Sequence, residues 1–228
     1  MNIKNLQEIK SKNSLVKTHD MEQLFIKTHF VEMNLSDIIE QLGEDATKSI
    51  LSSFSCPLNK DVENFIRYKA IEFSKRTLAK THLVFWETED QKSREFVGYY
   101  TITSKVITVD RNVLSNNEAR KLRNQGIFDT SKQKFMISAP LIAQLGKNFT
   151  SGNDTLISGP DLLQMAVNKI HKIQKDMGGR FMYLECEDKE KLLTFYQKCN
   201  FKVFGKRKLD KDETDVNGKY LIQLFAMF

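Results

Sequence analysis

Apolar residues recur at two spacings along this chain, and the change of spacing marks its elements. They repeat at helical spacing from Asn59 to Thr77 and again from Pro160 to Met177, where Gly178 follows as a helix stop. Short apolar or alternating runs that are typical of strands lie at residues 50–54, 82–86, 96–103, 106–109, 135–145, 181–184, 203–204 and 220–225. This order of helices and strands predicts an α+β sandwich with one central sheet.

The first part of the chain has a different pattern. Residues 1–45 are polar and lack proline, which predicts short helices, one of them from Ser36 to Leu42 with Gly43 as its stop. We therefore predict two parts: a helical N-terminal extension over residues 1–45 and a main domain over residues 46–228.

Composition limits the class of protein more than its function. The 228 residues are 40% hydrophobic and 28% charged, typical of a soluble globular protein, with a net charge of +6. No run approaches the roughly 18 apolar residues of a membrane span, and the first residues lack the apolar core of a signal peptide, so we expect a cytoplasmic protein without a membrane partner. Basic residues cluster at 111–134 and 202–211, where they would attract phosphates or form solvated faces.

The most informative segment runs from Leu192 to Phe201. Leu192, Leu193 and Tyr196 share one helix face, and Asn200 stands where the helix must turn in the left-handed conformation. The segment resembles the Phe-Tyr-x-x-x-Gly-Phe signature near the end of GNAT-superfamily N-acetyltransferases. The resemblance implies that Tyr196 donates a proton to the departing thiolate of coenzyme A. Half-buried packing is the alternative role for this tyrosine.

The resemblance extends over residues 50–226. Phe54-Ser55-Cys56, the helix from Asn59 and the strand at 96–102 look like the opening of one GNAT branch, the acetyltransferase toxins of toxin–antitoxin pairs, which acetylate aminoacyl-tRNA. It implies a GNAT-like α/β/α sandwich around a central, mostly antiparallel sheet, with acetyl-CoA as the co-substrate.

The strand at 140–148 is similar to the fourth strand of that branch. A tetrahedral oxyanion needs hydrogen-bond donors that are already fixed in place. In the family, backbone groups of this strand stabilise the oxyanion and bind the pantetheine arm. By position these groups belong to Leu145, as a catalytic and cofactor-binding residue, and to Lys147.

The pyrophosphate loop of the family, Arg/Gln-x-x-Gly-x-Gly/Ala, corresponds here to residues 154–159. Only Gly159 matches, Asp154 takes the basic or amide position, and Asp161 adds a negative charge in the first turn of the next helix. The resemblance implies that Ser158, Gly159 and Pro160 contact the cofactor at the start of this helix. Lys147 and Lys169 are the alternatives for the missing positive charge.

Other chemistry-bearing residues give weaker indications. Glu185 and Glu187 end a strand and are candidate general bases by the resemblance, although solvated carboxylates would give the same pattern. The four histidines and three cysteines lack metal-ligand spacing, so we predict no metal site and reduced, packed thiols.

Three functions stay open at this point. The first is an acyl-CoA-dependent N-acyltransferase that moves an acetyl group from acetyl-CoA to a primary amine. The second is a toxin-like acetyltransferase of aminoacyl-tRNA, and the third is a non-catalytic GNAT-fold binding protein. The partners that stay open are a small-molecule or macromolecular amine acceptor and tRNA and, whichever function holds, a second copy of the chain in a homodimer.

Overall fold

The structure is a computed structural model that describes residues 30–88, 93–210 and 218–227. Its strands are β1 (Phe30–Asn34), β2 (Lys80–Glu87), β3 (Arg94–Asp110), β4 (Gly126–Asp129), β5 (Lys134–Lys147), β6 (Phe181–Glu187), β7 (Lys202–Lys208) and β8 (Tyr220–Met227). Its α-helices are α1 (Leu35–Leu42), α2 (Glu44–Ser52), α3 (Lys60–Asn64), α4 (Ala70–Lys75), α5 (Asn116–Arg123), α6 (Gly159–Met177) and α7 (Glu190–Lys198). One π-helical turn, Phe65–Lys69, joins α3 to α4, and short 3₁₀ turns lie at Arg111–Val113 and Thr150–Thr155.

The strands form one eight-stranded sheet in the order β1-β2-β3-β5-β6-β8-β7, and β4 pairs with β5 outside this path. Every pair is antiparallel except β5 with β6. The mostly antiparallel central sheet predicted from the sequence is confirmed.

Helices cover both faces of the sheet. On one face, α6 and α7 pack over a core that includes Tyr100, Ile142 and Cys186. On the other face, α1 to α4 cover β2 and the first half of β3. There α5 and β4 cover the second half of β3 and the first half of β5, together with β6 and β8. The layered α/β/α arrangement follows from strands that alternate apolar side chains between two buried faces.

The first described residues correct part of the sequence prediction. Phe30–Asn34 form an edge strand antiparallel to β2, where helices were predicted. Phe30, Glu32 and Asn34 are every second residue and share one face, which suits a strand. The strand that stabilises them, β2, begins only at Lys80, so neighbouring residues in the sequence do not reveal the pairing. The helix predicted from Ser36 to Leu42 is confirmed as α1, and Gly43 follows it at φ 80°. Residues 1–29 lie outside the described residues, and the boundary at residue 45 stays a prediction.

A second correction concerns residues 50–54. The strand predicted there was wrong, because α2 continues to Ser52. Thr47 and Leu51 are the buried residues of this helix, four positions apart, so the apolar run is the end of a helical face. Within the described ranges, no helix is long and apolar enough to cross a membrane.

Candidate active site

The central feature of the site is a gap between β5 and β6. These parallel strands pair only through Leu141 with Tyr183 and Ile142 with Leu184. Beyond that point β5 continues to Lys147 and β6 to Glu187, and the described residues of the two strands form no further pairs. The strands therefore part in the middle of the sheet and leave one edge of β5 without a strand partner.

The backbone direction at the end of β5 decides which groups face this gap. Asn148 N–H donates to Val97 O at 2.8 Å, so the amide of Asn148 points towards β3. Because backbone groups alternate along a strand, Gly146 also points to β3, while Leu145 and Lys147 point away from it. The two residues named from the sequence thus turn their amides towards the gap.

Tight packing holds this end of β5 in place. A Cβ on Gly146 would lie 2.4 Å from Val62 Cγ1 of α3, and a Cβ on Gly98, across the β3 ladder, would lie 3.1 Å from Leu162 of α6. Two glycines thus allow helices on opposite faces to approach the strands closely. This close packing fixes the backbone donors of Leu145 and Lys147, as oxyanion stabilisation requires.

Tyr196 enters the site on α7, which ends as the sequence predicts. Asn200 adopts φ 66°, and Phe201 N–H donates to Tyr196 O at 3.0 Å to close the last turn. Tyr196 packs with Phe195, Cys199 and Leu145 against the core beneath α6 and α7. The helix stop therefore fixes the position of the tyrosine on the face of the sheet that Leu145 also occupies.

The surroundings of Tyr196 keep its hydroxyl protonated. Burial raises the pKa of Tyr196, and the nearby thiols of Cys186 and Cys199 raise it further. Within the described residues the hydroxyl of Tyr196 makes no hydrogen bond. Tyr196 is half-buried as a residue, and its hydroxyl is an O–H donor that could give its proton to a ligand.

The turn that leads into the segment aligned with the pyrophosphate loop has an unusual conformation. The 3₁₀ turn at Thr150–Thr155 contains Ser151 and Gly152 at φ 55° and 78°. Asn148 and Asn153 anchor it through their side-chain amides to Phe96 O, at 2.8 and 3.3 Å. The loop is therefore attached to β3 instead of forming a glycine-rich cradle.

At the start of α6 few donors are left for a phosphate. Pro160 has no N–H, and the N–H of Asp161 already donates to Ser158 Oγ at 3.2 Å. The Ser158 hydroxyl donates to the carboxylate of Asp161 at 2.5 Å, which puts a negative charge at this terminus. The backbone N–H groups of Ser158 and Gly159 have no partner among the described residues.

Two lysines that the sequence did not indicate lie on α7 beside Phe195, whose ring approaches this terminus. Lys147 Nζ donates to Asp154 O at 2.8 Å, within the aligned segment, and Lys169 forms an ion pair with Glu32, so each of the two predicted lysines already has a partner. The ring of Phe195 lies 3.3 Å from the position of a Cβ on Gly159. Phe195 also lines a shallow depression whose other lining residues are Glu190, Lys191, Thr194 and Lys198. Lys191 and Lys198 could have been found only through their spacing around Phe195 on one helix.

Glu185 and Glu187 do not face Tyr196. Cys186 lies beneath α6 and α7, so its two neighbours point to the opposite face of β6. Glu185 accepts hydrogen bonds from Arg207 at 2.7 Å and Gln223 at 2.8 Å, and Glu187 pairs with Lys189 at 2.6 Å. They are neither solvated carboxylates nor free bases, because Glu185 has partners on two neighbouring strands, which sequence alternation cannot reveal, and Glu187 has one in the following turn.

A buried polar cluster beside the site was also missed. Tyr100, the cross-strand partner of Leu145, donates its hydroxyl to Glu32, and Lys169 forms an ion pair with the same carboxylate. His82 stacks on Tyr100 with ring centroids 5.0 Å apart. Burial alone would raise the pKa of Glu32, but the interactions with His82, Lys169 and Tyr100 outweigh it and lower the pKa to about 2. Among the described residues no group of three potential metal ligands comes together.

Comparisons with known proteins identify the fold. The sequence matches no protein-family model and no curated protein. Several solved structures match over most of their length, and three of them are as follows. AtaT complexed with acetyl-methionyl-tRNAfMet has a TM-score of 0.57 and 15% identity over 87% of this chain and 94% of that one. A Tyr-to-Phe mutant of KacT has a TM-score of 0.55 and 14% identity over 86% and 95%. AtaTR bound with acetyl-CoA has a TM-score of 0.50 and 15% identity over 87% and 93%.

The fold is that of the GNAT acetyltransferase toxins. The fold implied by the sequence resemblance is therefore confirmed. The parting of β5 and β6 lies within the part of the GNAT fold that contains Leu145 and Lys147. The roles of Tyr196, Leu145, Lys147, Ser158, Gly159 and Pro160 stay predictions.

Proposed function

We propose that this chain transfers the acetyl group of acetyl-CoA to a primary amine in the gap between β5 and β6. The observation that carries the proposal is the unpaired edge of β5, where the amides of Leu145 and Lys147 face the gap from a closely packed backbone. A strand edge buried in a sheet leaves polar groups that a ligand must satisfy. An extended thioester with polar groups along its arm suits such an edge.

Each residue has one task in the reaction. The amine nitrogen attacks the thioester carbon, and the N–H of Leu145 donates to the carbonyl oxygen as it becomes an oxyanion. The C–S bond then breaks, and the Tyr196 hydroxyl gives its proton to the departing sulfur. The nitrogen releases its excess proton to water, which returns one to Tyr196. A tyrosine hydroxyl carries its proton at neutral pH, and burial, which raises the pKa of Tyr196, keeps it in that form.

The cofactor's phosphates would lie where α6 begins. The N–H groups of Ser158 and Gly159 are the remaining backbone donors there, and Pro160 presets the first turn. Lys191 and Lys198 supply positive charge from α7. Because Asp161 opposes the phosphates, we expect this end of the site to contribute less affinity than the strand edge.

For the acceptor, we propose the amino group of an aminoacyl-tRNA. The support is the fold shared with AtaT, whose structure holds acetyl-methionyl-tRNAfMet. The basic helix α5 adds phosphate-binding capacity through Arg120, Lys121 and Arg123. Free small amines are the competing acceptor class.

Two measurements test these proposals. Calorimetry with acetyl-CoA should show saturable binding, and radiolabelled acetyl-CoA should transfer label to aminoacyl-tRNA in preference to free amino acids and polyamines. Absence of acetyl-CoA binding would leave a non-catalytic GNAT-fold protein. Transfer to free amines alone would support the proposed acetyltransferase activity and overturn the proposal that aminoacyl-tRNA is the acceptor.

A further inference from the structure

One carboxylate beside the gap belongs to no part of the mechanism described above. Asp61 lies in the first turn of α3, and its Oδ2 accepts a hydrogen bond from Gln144 Nε2 at 2.9 Å. Gln144 directly precedes Leu145 on β5. The carboxylate is therefore held one residue away from the proposed oxyanion donor.

The helix that carries Asp61 is fixed against this strand. Val62 packs onto Gly146, and Tyr99, which is fully buried, donates its hydroxyl to Val62 O at 2.6 Å. Asn59 caps the helix by accepting the N–H of Val62 at 3.3 Å. These contacts hold the first turn from both sides, so the Asp61 carboxylate has a defined position relative to Leu145.

Asp61 approaches β5 from the face opposite to Tyr196. Leu145 points its side chain to the core beneath α6 and α7, where Tyr196 also packs, so Gln144 points to the other face. If the proposed function holds, acetyl-CoA occupies the side of Tyr196 and α6. The acceptor then has the opposite side as its free approach.

Charge distinguishes Asp61 from the other carboxylates of this region. Glu63 pairs with Lys60 and Arg67, Glu185 with Arg207, and Glu187 with Lys189. Among the residues that the structure describes, Asp61 has Gln144 as its hydrogen-bond partner and forms no ion pair. It is partly exposed, so the carboxylate can be reached by a cation from solvent.

From this arrangement we infer that Asp61 binds the ammonium group of the acceptor and selects for a free, cationic amine. The inference rests on the proposed function. An ammonium group donates charge-assisted hydrogen bonds to a carboxylate, and such bonds are about twice as strong as neutral ones. Bound there, the ammonium would lie beside the donor that stabilises the oxyanion, and it would lose one proton to water before its nitrogen attacks the thioester. An amine that is already acetylated would lose the interaction.

The test compares two ligands that differ in this charge. Puromycin carries a free α-ammonium on an amide-linked amino acid, and N-acetylpuromycin is its uncharged counterpart. Binding of each to the full chain, with and without coenzyme A, is measured by NMR titration. The wild-type chain should prefer puromycin by about 10-fold or more, the effect expected of a hydrogen bond to a charged group. Asp61→Asn keeps the acceptor for Gln144 and should lose this preference.

Controls separate the outcomes. Asp45→Asn, which alters an exposed carboxylate on α2, should bind both ligands as the wild type does. Coenzyme A affinity, measured separately, tests the proposed function and should be the same in both variants. A preference for puromycin that persists in a folded Asp61→Asn variant would overturn the inference, as would a wild-type chain that binds the two ligands equally.

Discussion

The two ends of the proposed cofactor site are built on different principles. At the β5–β6 gap, the groups proposed to act are backbone amides and one tyrosine hydroxyl, held by glycine-dependent packing at Gly146 and Gly98. At the start of α6, the proposed binding depends on charge and on free N–H donors. There Pro160 and Asp161 reduce both.

This difference explains why the two ends diverge so unequally from the GNAT pattern. Backbone donors survive almost any side-chain change that preserves the strand, so Leu145 and Lys147 could fill the proposed roles although their side chains are ordinary. A phosphate cradle depends on particular residues, and here a 3₁₀ turn anchored by Asn148 and Asn153 replaces it. We expect the proposed chemistry to resemble that of GNAT enzymes more closely than the cofactor affinity does.

Replacing the tyrosine hydroxyl should have the largest effect on the gap. Tyr196→Phe should lower kcat by about 10²- to 10⁴-fold, because a positioned acid contributes in that range, while acetyl-CoA affinity hardly changes. Steady-state kinetics with the identified acceptor measures the first quantity, and calorimetry the second.

Tyr68→Phe is the matched control, since Tyr68 is 75% exposed on the π-helical turn and should be neutral. Wild-type turnover in Tyr196→Phe would make Tyr196 a packing residue and move the acid elsewhere.

The cluster around Glu32 allows a test of how much the buried interactions beside the gap stabilise the fold. The pKa of Glu32 is about 2 in the folded chain against 4.5 for the free residue, so its ionised form stabilises the fold above pH 4.5. That stabilisation, about 3 kcal/mol for the shift, is lost as the pH falls from 4.5 to about 2. Glu32→Gln should therefore unfold more easily at pH 7 and lose less stability over this acid range, as measured by urea denaturation.

Glu44→Gln is the control for this pair of measurements. Lys48 and Lys75 also lower the pKa of Glu44 to about 2, but its ion pairs lie at the surface, where solvent screens them. Equal destabilisation by the two variants would show that the buried cluster stabilises the fold no more than the surface ion pairs of Glu44 do.

Local backbone patterns could be predicted from the sequence, whereas the partners of charged side chains could not. Helical periodicity identified the helices at 59–77 and 160–177, and the signature at Tyr196 identified the fold through one helix stop at Asn200. β4 was missed, because four residues with Ile127 exposed form a strand only by pairing with β5. The partners of Glu185 lie on β7 and β8, and those of Glu32 on β2, β3 and α6, so no local pattern could assign them.

The end of the proposed cofactor site at the start of α6 is tested by replacing the two lysines proposed to bind the phosphates. Replacing Lys191 and Lys198 together by serine should weaken acetyl-CoA binding by about 10-fold at low salt, since each surface charge pair is worth up to about 1 kcal/mol. The loss should shrink as salt screens the phosphates. Calorimetry at 50 and 300 mM salt gives both values.

The corresponding control is a double serine replacement of Lys172 and Lys175, on the exposed side of α6. If both pairs of replacements act equally, the effect is one of net charge and the depression on α7 is not the phosphate site.

The smallest expected effect has the opposite sign. Asp161→Asn removes the carboxylate at the start of α6 but keeps a side-chain oxygen that can accept the Ser158 hydroxyl. A charge at a helix terminus is worth about 0.3–1 kcal/mol, so acetyl-CoA should bind about 2- to 5-fold more tightly. The helix itself should lose a similar amount of stability, because its N-terminus favours a negative charge. Asp176→Asn, near the other end of α6, should leave the affinity unchanged. Weaker binding by Asp161→Asn would mean that the phosphates do not lie at this terminus, and that the strand edge at Leu145 and Lys147 holds the cofactor without it.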